Sequence, residues 1–238
     1  ALTRLDDTSS PPLASPWALS ESAVILEFLE ERHGTLQLMP KRPEDRAMVR
    51  LLIRLHDLYV ASPNSHQQAP AGSNVHNMGA MFIPPRRPGT EQTRYLTQEL
   101  RASKLREVWE QLHQMEEACR EPYLAGDALS LADLTIFPTF VYFNFYLPRV
   151  FGLERGPFGP HPKLERWFSR CLAIPAFARV RSEMVTVLEH KRPEDMDELR
   201  REAQGPLFHR VFEGAGGLQG DVGGAEERRE RLGADSSQ

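Results

Sequence analysis

The chain has 238 residues, 40% of them hydrophobic and 26% charged, with 29 Lys and Arg against 33 Asp and Glu for a net charge of −4. That balance is ordinary for a water-exposed globular protein and supplies no basic footprint for nucleic acid. Two cysteines, Cys119 and Cys171, fit neither a metal spacing nor a disulfide framework and point to a reducing, cytoplasmic setting. The longest apolar run, Leu134 to Leu147, is too short to span a bilayer and holds Pro138 and Asn144, so no membrane is expected as a partner.

The chain opens on Ala1, and Ala1 to Ser10 lacks the basic-then-apolar layout of a signal peptide, so the start reads as processed or truncated. Ala1 to Trp17 is rich in Ser and Pro and has room for at most one short strand. Ser20-Glu21-Ser22 predicts a helix through Glu31, capped by Ser20, stopped at Gly34, and burying Ile25, Phe28 and Leu29. Thr35 to Arg42 reads as a linker between two units.

Pro43 with Glu44 and Asp45 starts a second helix. Met48, Leu51, Leu52, Leu55, Leu58 and Tyr59 form its predicted apolar stripe. Ala61 to Thr90 is broken by five prolines and three glycines, a length of loop that tends to be functional or disordered. A third helix is expected from about Glu91 to Arg120, with Leu96, Leu100, Leu105, Val108, Leu112, Met115 and Cys119 on one face. On that face Cys119 is a core residue and not a nucleophile.

The most informative stretch runs from Tyr123 to Pro138. Ser130 and Asp133 form a capping box, in which the acidic side chain reaches back to the capping residue's N–H, and Leu129 and Leu134 flank it as a hydrophobic staple. The helix behind the box is apolar almost all round and is expected to end before Pro148. His161-Pro162 opens another helix with Leu164, Trp167, Phe168 and Cys171, and Pro175 opens a last one through Val180, Met184, Val187 and Leu188. Five helices with no strand between them predict a bundle. From Lys191 the chain is charged and then Gly-rich, a composition that cannot bury enough apolar surface to order itself.

His56, His66, His76 and His113 have no one-turn pairing with a Cys or carboxylate set beside them, so no metal is expected. Arg86 and Arg87, between prolines, read as a solvated turn.

Tyr-Leu-x-Gly-Asp ahead of the Ser130 box, Pro138 within the helix, and His-Pro-x-Leu-x-x-Trp followed by Ile174-Pro175-Ala176 together resemble the glutathione transferase superfamily. The resemblance covers about Pro11 to Leu188. It implies a mainly α fold, a helical bundle like the transferase C-terminal domain, with a remnant of a thioredoxin-like α/β domain at the N-terminus. The implied boundaries are 1–36, 37–190 and a tail at 191–238. Ser130 and Asp133 are by that resemblance folding residues.

Leu19 to Ile25 is a second region of resemblance, where the family's acidic residue and following Ser hold the γ-glutamyl end of glutathione. A helix N-terminus with the Ser22 hydroxyl suits the ligand's α-carboxylate, and Glu21 can meet its α-ammonium. The plain alternative is that Ser20 and Glu21 only favour the helix start. Pro11-Pro12-Leu13 reads either as a plain Pro-rich linker or, by the resemblance, as the family's cis-proline segment, which would place Ser10 and Pro11 beside the glutathione cysteine unit with Ser10 in place of the usual apolar residue.

The family's thiol-activating Tyr, Ser or Cys has no counterpart in this sequence, so no catalytic residue is assigned. For the acceptor pocket, the matching positions are Tyr59, Met78, Met81, Phe82 and Phe140, which serve equally well as core residues. The resemblance implies glutathione as co-substrate, a small hydrophobic electrophile as partner, and a homodimer. The alternatives are a non-catalytic docking module of the same fold, or an incomplete fragment without activity.

Overall fold

The computed structural model describes residues 2–3, 18–33, 37–61, 98–190, 197 and 200. Residues 4–17, 62–97 and most of those after His190 lie outside them, and with these Ser10, Pro11, Met78, Met81 and Phe82. Two short strands, β1 (Leu2–Thr3) and β2 (Ala18–Leu19), pair antiparallel with Leu2 opposite Leu19. Six α-helices follow: α1 (Ser22–His33), α2 (Pro43–Leu55), α3 (Gln98–Ala118), α4 (Leu131–Phe151), α5 (Pro162–Leu172) and α6 (Pro175–Glu189). The fold is mainly α, and α2 to α6 form the five-helix bundle.

α4 is the spine. Its apolar composition on every face leaves it no side to show to water, so it is buried between its neighbours. Phe137 stacks on Phe168 of α5 at 5.1 Å and meets Phe177 of α6 edge-on at 4.8 Å. Phe140 stands edge-on to Trp167 at 5.0 Å. Each such ring contributes about 1.5–3 kcal/mol of burial, and the paired geometries add to it.

The helix start is held by polar contacts. Asp133 has no exposed surface, and its carboxylate accepts four hydrogen bonds. Oδ2 takes the Ser130 N–H at 2.7 Å and the Ser130 hydroxyl at 2.8 Å; Oδ1 takes the Leu124 N–H at 3.0 Å and the Trp167 indole N–H at 2.8 Å. Burial pushes this carboxyl above its ordinary range, and the four donors oppose that push. Leu129 and Leu134, expected as a staple, both pack half-buried against the core.

Several expectations are corrected. α4 does not stop before Pro148 but runs to Phe151, where Gly152 at φ 72° turns the chain and its N–H returns to the Leu147 carbonyl. Val150 and Phe151 are buried, and that burial outweighs the hydrogen bond that Pro148 cannot donate. On α2 the buried face is Val49, Leu52, Ile53 and, beyond its end, His56 and Val60, while Leu51 is 49% exposed. The predicted stripe lay one residue round the helix. In α1, Ile25, Phe28 and Leu29 are half-buried, and no residue of that helix is fully buried.

The segment before α2 is no free linker. Leu38 and Met39 are buried, the Leu38 carbonyl accepts the first N–H of α4, from Leu131, at 3.1 Å, and the Met39 N–H donates to Glu30 Oε1 at 3.2 Å. Cys119 and Cys171 are both buried and free, and burial pushes the Cys171 thiol up to about 12. Neither is a nucleophile in that state.

Candidate functional site

α1 begins at Ser22 and not at Ser20, because Glu21 occupies the left-handed region at φ 70° and its carbonyl accepts the Ile25 N–H at 2.9 Å. Glu21 is therefore the residue that caps the helix, and Ser20 lies outside it. A non-glycine residue at positive φ carries strain, which clusters at ligand-holding positions. Both Glu21 and Ser22 are exposed, so the helix end and the two side chains share one open surface.

Tyr59 lies in a wide turn that continues α2. From His56 to Val60 the backbone is π-helical, closed by the Ala61 N–H on the His56 carbonyl at 2.8 Å. His56 is buried with both ring nitrogens engaged, Nδ1 with Asp57 Oδ1 at 2.9 Å and Nε2 with Thr139 Oγ1 at 2.7 Å. Asp57, Leu58 and Tyr59 are half-buried. Phe140, expected at the acceptor pocket, is fully buried among Phe143, Phe158, Trp167 and Phe168, and is a core residue. It is Thr139, one residue back, that meets the turn; this contact joins residues 83 apart and leaves no local signal in the sequence.

His113 and His161 form an imidazole pair. His161 has no exposed surface, its Nδ1–H donates to the Pro157 carbonyl at 2.6 Å, and Nε2 faces His113 Nδ1 at 3.1 Å. Burial lowers the His161 pKa below its ordinary value, and the neighbouring His113 adds to that. Among the described residues no group of three or more His, Cys, Asp or Glu side chains is placed to hold a metal, and no helix is long and apolar enough to cross a membrane. A cavity of about 140 Å³ lies between Glu27, Glu30, Glu31, Met39 and Arg46, too acidic in its lining for an apolar acceptor.

Residues 78–175 match the family model described as the glutathione S-transferase C-terminal domain. No curated protein matches the chain. Among solved structures, a glutathione S-transferase from Methylobacterium radiotolerans JCM 2831, in complex with glutathione sulfonate, aligns with TM-score 0.50 and 22% identity over 68% of this chain and 65% of its own. Glutathione transferase Omega 3C from Trametes versicolor aligns with TM-score 0.50 and 18% identity over 79% of this chain and 67% of its own. At those identities the likeness is one of fold, and the chain spans about two thirds of the length of these proteins. The Ser130–Asp133 box and the buried spine it opens both lie within the matched stretch, so residues 78–175 are similar to a glutathione S-transferase C-terminal domain.

Proposed function

We propose that this chain binds glutathione at the α1 N-terminus and uses its thiol on a small hydrophobic electrophile, as a glutathione transferase-like enzyme. The observation that carries the reading is Glu21 at φ 70°, set directly before the first residue of α1. Glu21 and Ser22 are both exposed beside the first turn of α1, whose leading N–H groups have no partner within the helix, and that combination suits a zwitterion with its ammonium and carboxylate a few bonds apart. The Methylobacterium transferase of like fold holds glutathione sulfonate, which supports the same ligand class here.

In this reading Glu21 takes the α-ammonium, Ser22 donates to the α-carboxylate, and Ser10 and Pro11 border the cysteine unit. Residues 1–36 are a thioredoxin-like remnant, 37–190 the helical domain and 191–238 a tail. The acceptor lies near Tyr59 with Met78, Met81 and Phe82, whose Met and aromatic character suits an adaptable apolar pocket. The thiolate attacks the electrophile once its pKa is lowered, and the group that lowers it is unassigned. A homodimer completes the expected assembly.

Retention on immobilised glutathione, with elution by free glutathione, tests the binding step. Conjugation of an activated aryl halide tests the chemistry. Firm retention that Glu21→Ala abolishes without unfolding is the expected result; no retention of the intact chain overturns the reading.

A further inference from the structure

We propose that Thr139, acting through His56, sets the register of the wide turn after α2 and thereby the selectivity of the surface carrying Leu58 and Tyr59. The assignment of that surface to an electrophile rests on the proposed function; the control of the turn does not.

A turn closed from residue 61 back to residue 56 holds one residue more than an α-helical turn. Everything on it is rotated by about 100° from where a continued α-helix would place it. Such turns are rare and recur at functional sites. Here the turn is held at both ends, with Val60 fully buried and His56 fixed between Asp57 and Thr139. A carboxylate only accepts, so in the neutral ring the Asp57 contact puts the proton on Nδ1, and Nε2 accepts from the Thr139 hydroxyl.

The order carboxylate, imidazole, hydroxyl also serves nucleophilic catalysis. Thr139 is not placed for it. It sits in the interior of α4, where backbone N–H groups are taken up by the helix and cannot stabilise an oxyanion, and it is buried. What the hydroxyl can do is hold His56. Thr135, one turn earlier, bonds back to the Leu131 carbonyl as a helical Thr commonly does, whereas the Thr139 hydroxyl meets another element. Thr139 and His56 are thus positioning residues. They set where Leu58 and Tyr59, both half-buried on the turn, are placed.

Thr139→Val keeps the side chain's shape and removes only the hydroxyl, and Thr139→Ser restores it. Two measurements are made on the intact chain. A crystal structure or amide-exchange map of Thr139→Val is expected to show the Ala61 N–H moved from the His56 to the Asp57 carbonyl, with Thr139→Ser like wild type. The affinity for the apolar probe anilinonaphthalene sulfonate is expected to change about tenfold in Thr139→Val and to recover in Thr139→Ser, the scale of one altered pocket contact. A wide turn that persists in Thr139→Val, or a probe affinity the same in all three proteins, overturns the proposal. Glutathione retention is measured alongside: its absence in wild type removes the proposed function, while the turn and probe results still decide this one. If conjugation is found, Thr139→Val is expected to alter the ratio of kcat/KM between a flat aromatic and a linear electrophile and to leave the KM for glutathione unchanged.

Discussion

The indole N–H of Trp167 donates to Asp133 Oδ1 at 2.8 Å, joining the first turn of the buried spine to α5 across 34 residues of chain. The same oxygen accepts the Leu124 N–H, so one side chain ties the approach loop, the helix start and a second helix. Trp167 is itself fully buried beneath Phe140, which places this bond where water cannot replace it.

Asp133→Ala therefore leaves the Leu124, Ser130 and Trp167 donors without a charged acceptor. Unsatisfied buried groups cost about 1–3 kcal/mol each, so a loss of several kcal/mol is expected, more than for any surface carboxylate. A double-mutant cycle of Asp133→Ala with Trp167→Phe, followed by urea unfolding, should return a coupling of about 1.5–3 kcal/mol, typical of a hydrogen bond to a charged group. Additivity of the two substitutions would show that the contact contributes nothing.

His161 makes stability depend on pH. Its folded-state pKa lies below the ordinary 6.5, so between those two values the unfolded chain binds a proton that the native chain does not. Stability from this group is present above pH 6.5 and is lost as pH falls towards the folded pKa, by at most about 1.4 kcal/mol per unit. Thermal midpoints compared from pH 7.5 to 5.5 should fall more steeply in wild type than in His161→Asn. Parallel slopes would remove His161 as the source.

Gly156 approaches α4 closely, and a Cβ on it would stand 3.2 Å from Asn144 Oδ1 and 3.4 Å from Asn144 Cα. Its φ of 57° adds a left-handed penalty for any other residue. Gly156→Ala should cost about 1–2 kcal/mol, read as a shift in the denaturant midpoint. Gly126→Ala provides the control, since φ 141° disfavours a side chain there but no heavy atom lies within 4 Å of its Cβ.

Glu21→Gly separates strain from binding. Glycine tolerates φ 70° freely, so the variant should be about 1 kcal/mol more stable while its retention on immobilised glutathione falls. A variant that is more stable and equally well retained would mean that Glu21 takes no part in holding the ligand.

The Ser130–Asp133 box was legible because its two members are three residues apart and their spacing alone brings them together. Trp167 was recognisable as a buried aromatic, but its partner was not, since nothing local marks a donor 34 residues away. The inner face of α2 was misjudged by one position because Met48, Val49, Leu51, Leu52 and Ile53 offer apolar residues on neighbouring faces, and only packing chooses between them. Phe140 looked equally fit for a pocket or a core for the same reason. The positive φ of Glu21 and the wide turn at His56 escaped altogether, as neither carries a glycine or other compositional mark.

The bond from Leu131 N–H to the Leu38 carbonyl has a consequence for how this molecule tolerates change. Both partners are main chain, so no exchange of side chain at position 38 deletes either one. What would break the link is a change in the count of residues between His33 and Pro43, which slides the carbonyl out of reach. Drift in this stretch should run freely through amino-acid identity and be halted at insertions and deletions, a constraint on length where one on letters would look absent.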